Sequence, residues 1–272
     1  MSGIGWPLAL ELLALGATTG FLAGLLGVGG GMTMVPFMTW ILSSRGVEPG
    51  LAVKMAIGTS MATIVFTSMS SVRAHHQRGC VRWDLLRTLA PGLVFGGLFS
   101  GAGLFAVLRG KALALVFAVF IAFAAVQMLL DRKPAASRQM PGFAGQTAVG
   151  TAIGLISGLV GAGGAFLSVP FMIWCNVPLR QAVGTAAALG FPIALANTTG
   201  YVVAGWDLPA ALPGAFGYLY LPALGILALA STSMAPLGAR VAHGTDVKRL
   251  ERIFAVLLLG LGGWMAKQAF GG

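Results

Sequence analysis

The sequence predicts an all-α polytopic membrane protein built from two homologous halves. Hydrophobic residues make up 57% of the chain and charged residues only 9%, whereas soluble domains carry roughly 25% charge. Long segments carry no charged side chain, and most of them reach the roughly 20 residues that a helix needs to cross a bilayer. Strand-like alternation of polar and apolar residues is not seen, which argues against a membrane β-barrel. A glycine-rich motif that occurs twice indicates the two halves.

The two copies of the motif define the internal duplication. GLLGVGGGMTMVPF (24–37) and GLVGAGGAFLSVPF (158–171) are identical at eight of fourteen positions. Further along, KMAIGTS (54–60) corresponds to RQAVGTA (180–186), and the order of the motifs is the same in both halves. Such agreement indicates duplication. The predicted units are a first membrane repeat (1–130), a cytoplasmic linker (131–143) and a second membrane repeat (144–272).

The path of the glycine-broken segment decides the topology. If the segment enters and returns as a helical hairpin, each half has this hairpin plus three transmembrane helices, and the halves are inverted repeats. If it crosses once, the alternative is four plus four helices. The hairpin arrangement puts twelve of the 17 Lys and Arg residues on the linker side, whereas the single crossing divides them eight to nine. The positive-inside rule therefore favours inverted repeats with a cytoplasmic linker.

The basic residues and the cysteines exclude several other functions. The net charge of +10 resides mostly in short loops between apolar segments, so we expect a bilayer rather than a nucleic acid as the partner. Two cysteines form neither a disulfide framework nor a CxxC pair. His75 and His76 lie in a basic loop with too few neighbouring ligands for a metal site. We therefore expect no metal and no enzymatic activity, and because the first segment has no basic leader, a retained first helix.

The glycine motif has two interpretations at membrane depth. Backbone that is not helical there must be buried in protein or line a wet cavity, and a helix that restarts after it offers free N–H groups and a positive dipole end. Two such helix starts, each followed by a helix-break proline (Pro36 and Pro170), would form an anion site near the midplane. Alternatively, the glycines only permit close helix packing. A dinucleotide fingerprint is disfavoured because no soluble βαβ pattern surrounds the motif and the second copy has no acidic residue about 20 residues downstream, so we expect no cofactor.

Polar residues near the motifs complete the candidate site. Lys54 and Arg180 occupy corresponding positions and either attract an anion or anchor a helix end at the interface. Thr59, Ser60 and Thr185 either donate to an oxyanion or bond their own helix. The predicted substrate-binding residues are Gly27, Gly29, Gly30, Gly31, Lys54, Thr59, Ser60, Gly161, Gly163, Gly164, Arg180, Thr185 and Asn197.

These motifs resemble those of the sulfite exporter TauE/SafE family over nearly the whole chain. The resemblance rests on the GxGGG turn followed by proline, the basic residue before GTS, and the diverged GAGG copy. It implies a secondary transporter of the cytoplasmic membrane that exports a small sulfur-containing anion, such as sulfite or an organosulfonate. Alternating access of the two halves would move the anion. A passive anion channel, an uptake permease for another small organic anion and a homo-oligomer stay open as alternatives.

Overall fold

The computed structural model describes residues 5–26, 30–130, 137–210, 212–241 and 247–270. It confirms an all-α polytopic architecture, with one two-residue hairpin strand pair before the tenth helix. The elements are α1 (Trp6–Leu26), α2 (Gly31–Ser43), α3 (Pro49–Gln77), α4 (Trp83–Leu98), a π-helical stretch (Phe99–Leu104), α5 (Phe105–Val107), α6 (Gly110–Leu130), α7 (Phe143–Val160), α8 (Ala165–Trp174), α9 (Leu179–Ala204), β1 (Ala215–Phe216), β2 (Leu219–Tyr220), α10 (Leu221–Val241) and α11 (Val247–Phe270).

Helix length separates the elements into two groups. Among the described residues, eight helical segments are long and apolar enough to cross a membrane. Two apolar helices are shorter, namely α2 with 13 residues and α8 with 10. At 1.5 Å per residue they are about 20 Å and 15 Å long, which is roughly half a bilayer or slightly more. Both short helices follow the glycine motifs and are continuous through Pro36 and Pro170, so the proline positions expected as helix breaks lie inside helices.

Each short helix turns back along the helix that precedes it. Arg45, just beyond the end of α2, forms a 2.9 Å salt bridge with Glu11 near the start of α1. The carbonyl of Trp174, the last residue of α8, accepts hydrogen bonds from the amides of Ser137 and Arg138, which precede α7. The Arg138 guanidinium also lies over the Trp174 ring at 4.6 Å. The α1–α2 and α7–α8 pairs are therefore helical hairpins that return to the side from which they start.

The two long helices α3 and α9 run antiparallel to each other. A Cβ atom on Gly58, near the start of α3, would lie 2.7 Å from the Tyr218 carbonyl oxygen, in the segment that follows α9. Gly184, near the start of α9, lies in the same way against Cys80, in the segment that follows α3. The two long helices α3 and α9 thus cross the centre of the molecule in opposite directions.

Upstream of each motif, glycines spaced four residues apart allow helices of the chain to pack closely. Gly16 and Gly20 of α1 lie against the backbone of α10, where a Cβ atom on Gly20 would be 2.8 Å from the Ser231 carbonyl carbon. Gly150 and Gly154 of α7 lie against the backbone of α4 in the same manner. Small residues at this spacing allow backbones to approach closely in a membrane. Each hairpin is therefore held by a helix of the other half.

Candidate functional site

The start of the first short helix meets the second glycine motif. A Cβ atom on Gly31, the first residue of α2, would overlap the carbonyl oxygen of Gly161. The same carbonyl accepts a 3.3 Å hydrogen bond from the Ser60 hydroxyl of α3. Gly161 also contacts α3 at Ile57, whose Cα atom lies 3.3 Å from the position of a Cβ on Gly161. The structure therefore brings Gly31, Gly161 and Ser60 together.

The second motif forms a tight buried turn. Gly161 ends α7 with φ +67° and Gly164 precedes α8 with φ +74°. Both torsions lie in the left-handed region, which a residue with a Cβ atom adopts at a cost of about 1–2 kcal/mol. Residues 161–165 are all buried. The two glycines are thus required by the backbone conformation of this turn, which we call the second turn (residues 161–164).

The second turn ends in amide groups that lack acceptors. The first hydrogen bonds of α8 run from the Leu167 and Ser168 amides to the Gly164 carbonyl, at 3.1 Å and 2.9 Å. The amides of residues 163–166 have no protein acceptor among the described residues. Such groups concentrate the positive end of the helix dipole. An anion placed there would meet several N–H donors at once.

Two buried hydroxyls without hydrogen-bond partners lie on the helices that flank the second turn. Ser157 of α7 and Ser168 of α8 are at most 1% exposed, and neither hydroxyl finds a partner among the described residues. The Ser157 oxygen lies 3.1 Å from the position of a Cβ atom on Gly164. A buried polar group without a partner costs about 1–3 kcal/mol. This cost favours a ligand or water that pairs with the two hydroxyls.

Asn197 of α9 belongs to a second polar group, which packs against Gly158 of α7, the residue after Ser157. Its Oδ1 atom and the Ser100 hydroxyl both lie close to Gly158. Neither has a hydrogen-bond partner in the described part of the chain. The Nδ2 group donates to the Ile193 carbonyl at 2.9 Å. Ser100 lies in the π-helical stretch, a distortion that often accompanies functional sites. Sequence reasoning missed Ser100, Ser157 and Ser168; their only signal was a hydroxyl within an apolar segment.

The first motif is described only in part. Gly27 and Gly29 lie outside the described residues. Gly30 precedes α2 in an ordinary right-handed conformation, with φ −69° and ψ −9°. The Thr33 hydroxyl donates to the Gly30 carbonyl at 3.2 Å, within the first turn of α2. Because Gly31 presses against the second turn, the described part of this motif supports the second turn by packing.

The other predicted residues lie away from the turns, apart from Gly163. Thr59 accepts a 3.0 Å hydrogen bond from the Tyr220 amide, and Thr185 accepts one of the same length from the Arg82 amide. Each threonine thus holds the segment that follows the long helix of the other half. Gly163 lies in the second turn, against Ile64 of α3. Arg180 is exposed at the start of α9.

Lys54 projects into an open pocket at the start of α3. Its ammonium donates to the Ala106 carbonyl at 3.3 Å and to the Tyr218 hydroxyl at 3.4 Å. It also lies 5.1 Å from the centre of the Tyr218 ring. The pocket has a volume of about 450 Å³ and is lined by Glu48, Gly50, Leu51, Lys54, Arg109, Gly110, Lys111 and Tyr218. Burial raises the pKa of Tyr218 above its usual value.

The fold is that of a polytopic membrane protein with two helical hairpins. The sulfite exporter TauE/SafE family matches residues 12–265, and the chain belongs to this family. Among the described residues, no group of three or more His, Cys, Asp or Glu side chains could hold a metal ion.

Curated relatives from distant organisms carry the same general description. A probable membrane transporter protein of Haemophilus influenzae is 33% identical over 257 residues, which cover 92% of this chain and 95% of the relative. A protein of the same description from Methanocaldococcus jannaschii is 26% identical, with 93% and 92% coverage. The Bacillus subtilis protein YdhB, also described in this way, is 25% identical over 69% of this chain and 76% of its own length. No solved structure matches the chain.

Proposed function

We propose that the protein is a secondary transporter that exports a small sulfur-containing anion, sulfite or an organosulfonate, across the cytoplasmic membrane. The observation that carries this proposal is the second turn, where free amides at the start of α8 lie beside the unpartnered hydroxyls of Ser157 and Ser168. The site would bind without covalent chemistry and without a cofactor. The family match supports transport, and the site chemistry supports an anion.

Amide and hydroxyl donors suit an oxyanion at this depth. The amides of residues 163–166 would meet the negative oxygens, and the two hydroxyls would donate from the flanking helices. Charge near a helix N-terminus gains typically 0.3–1 kcal/mol, and up to about 2 kcal/mol where it is partly buried.

Lys54 and Arg180 would attract the anion at opposite mouths of the path. Lys54 lies at the start of α3 and Arg180 at the start of α9, and these helices run in opposite directions. The antiparallel course of α3 and α9 supports inverted repeats. Movement of one half against the other would then expose the second turn to each side in turn.

A flux measurement with a site variant tests the proposal. The purified protein is reconstituted in vesicles, and counterflow of sulfite and sulfoacetate is measured. We expect saturable counterflow that Ser157→Ala reduces at least about tenfold, because one charge-assisted hydrogen bond is worth roughly 1.5–3 kcal/mol. Ser233→Ala is the matched control, since its exposed hydroxyl only bonds the Leu229 carbonyl of its own helix.

The outcomes separate the alternatives. Linear flux without counterflow would identify a passive channel. Absence of flux for both anions would reject the substrate class, and equal flux in Ser157→Ala and Ser233→Ala would reject the second turn as the site.

Cysteine labelling tests the inverted arrangement. In a background with Cys80→Ser and Cys175→Ser, Ser44→Cys and Ser137→Cys each place one exposed thiol at the open end of one hairpin. We expect an impermeant maleimide to label the first from outside the cell and the second only from inside. Labelling of both from the same side would contradict inverted repeats.

A further inference from the structure

The pocket around Lys54 is separate from the second turn and has an excess of positively charged residues. Its lining includes three basic residues, Lys54, Arg109 and Lys111, and one acid, Glu48. Its volume of about 450 Å³ falls in the range of pockets that hold small organic molecules. We propose that this pocket is a second anion-binding site, in which an organosulfonate or similar oxyanion is held before or after it occupies the second turn. The inference rests on the proposed transport function.

Two helix starts build the pocket. A Cβ atom on Gly110, at the start of α6, would overlap the backbone of Gly50 at the start of α3, so the two helix starts are in direct contact. Arg109 and Lys111 flank Gly110 and are exposed. This backbone contact fixes both basic residues at the rim of the pocket that contains Lys54.

Lys54 connects the pocket to the interior. Its ammonium has three N–H donors, of which two are used by the Ala106 carbonyl and the Tyr218 hydroxyl. The third is left for a ligand. Ser60, which donates to the second turn, lies six residues further along α3, or about 9 Å along the helix axis. An anion released by Lys54 therefore has a short distance to travel to the second turn.

Glu48 opposes anion binding in this pocket. Its carboxylate accepts hydrogen bonds from the Gly50 and Leu51 amides at 3.0 Å and 2.7 Å, so it occupies the N-terminus of α3. It thereby neutralises one of the three positive charges and weakens the attraction for a ligand. Removing this charge while keeping an acceptor, as in Glu48→Gln, should strengthen anion binding.

Charge substitutions with a matched control test the second site. Affinity for sulfoacetate is measured by titration calorimetry on the full chain in neutral detergent at about 50 mM salt. We expect Arg109→Gln to raise Kd about two- to fivefold and Glu48→Gln to lower it by a similar factor, as for other exposed charges. Both effects should vanish at about 1 M salt, where the Debye length is roughly 3 Å. Arg87→Gln, an exposed arginine at the start of α4, is the control and should change nothing.

Flux measurements distinguish failure of this site from failure of the proposed function. In vesicles, Arg109→Gln should raise the half-saturating concentration and leave the maximal flux unchanged, because the charge acts on capture. The second site is overturned if the Kd for sulfoacetate is the same in Arg109→Gln, in Arg87→Gln and in the unaltered protein. This holds even if Ser157→Ala still lowers the flux, because that variant tests the second turn. A different outcome is that the substitutions leave sulfoacetate binding unchanged, while phosphatidylglycerol added to the detergent binds and Arg109→Gln weakens its binding. The pocket would then hold a lipid headgroup, and the inference would be wrong.

Discussion

The two glycine motifs share eight of fourteen residues, yet their surroundings differ in polarity. The second turn lies beside the hydroxyls of Ser157 and Ser168. The positions that correspond in the first copy are Ala23 and Met34, and neither side chain can form a strong hydrogen bond. Ser60 of the first half also donates to the second turn, whereas the corresponding residue of the second half is an alanine. Hydrogen-bonding groups of both halves therefore converge on one turn.

From this difference we infer that the two motifs have different roles. The second turn has two left-handed glycines, amides without acceptors among the described residues and two adjacent buried hydroxyls, a combination that suits an oxyanion. The described part of the first motif places Gly31 against the Gly161 carbonyl and so supports the second turn mechanically. Substitutions in the first motif should therefore reduce stability through lost packing, whereas substitutions of the polar groups at the second turn should reduce anion binding.

Of the glycine substitutions, Gly31→Ala should have the largest effect. The added Cβ would overlap the Gly161 carbonyl, a backbone atom that cannot move without displacing the second turn. Overpacking of this kind typically costs 1–3 kcal/mol, so we expect about 2–3 kcal/mol of destabilisation and loss of flux. Thermal unfolding in detergent and vesicle flux measure the two effects. If Gly31→Ala had the stability and flux of the unaltered protein, the two motifs would not be in tight contact.

Gly164→Ala should have the next largest effect on stability, and it should exceed that of Gly30→Ala at the corresponding position of the first motif. At Gly164 the new Cβ would require a left-handed torsion and lie 2.6 Å from the Ile193 Cδ1 atom, so we expect a loss of about 2 kcal/mol. At Gly30 the torsion is right-handed and the nearest atom is the Thr19 carbonyl oxygen at 3.2 Å, so we expect a loss below about 1 kcal/mol. Equal melting temperatures of the two variants would contradict this contrast.

Ser168→Ala should separate binding from stability. The hydroxyl is buried without a partner among the described residues, so its removal should leave the ligand-free protein equally stable or up to about 1 kcal/mol more stable, while flux falls. Met34→Ala, at the corresponding position of the first motif, should instead lower stability by about 2–5 kcal/mol through a cavity. A loss of stability in Ser168→Ala would indicate a structural role for this serine.

Glu11→Gln should have the smallest effect. The salt bridge to Arg45 joins the two ends of the first hairpin, but its side chains are 39% and 26% exposed. Exposed ion pairs contribute about 0.2–1 kcal/mol, so we expect a small decrease of the melting temperature that disappears at high salt. A loss above about 2 kcal/mol would mean that this bridge holds the hairpin.

Much of the fold could be predicted from the sequence, because charge-free length and the repeated motif are direct consequences of membrane burial. The return of each short helix as a hairpin agrees with the prediction, since half-length helices cannot span a bilayer. The roles of individual hydroxyls could not be predicted. Thr59 and Ser60 are neighbours in the sequence, but one bonds Tyr220 and the other Gly161. Which face of α3 meets which turn is fixed only by tertiary packing.

The most direct test of anion binding at the second turn is a crystal structure with selenite, a selenium analogue of sulfite that is located by its anomalous signal. We predict a peak at the start of α8, within hydrogen-bonding distance of the Ser157 and Ser168 hydroxyls and of the amides of residues 163–166. The peak should disappear in Ser157→Ala crystals soaked at the same concentration. A peak confined to another part of the molecule, under conditions in which selenite competes with sulfite for transport, would contradict the assignment.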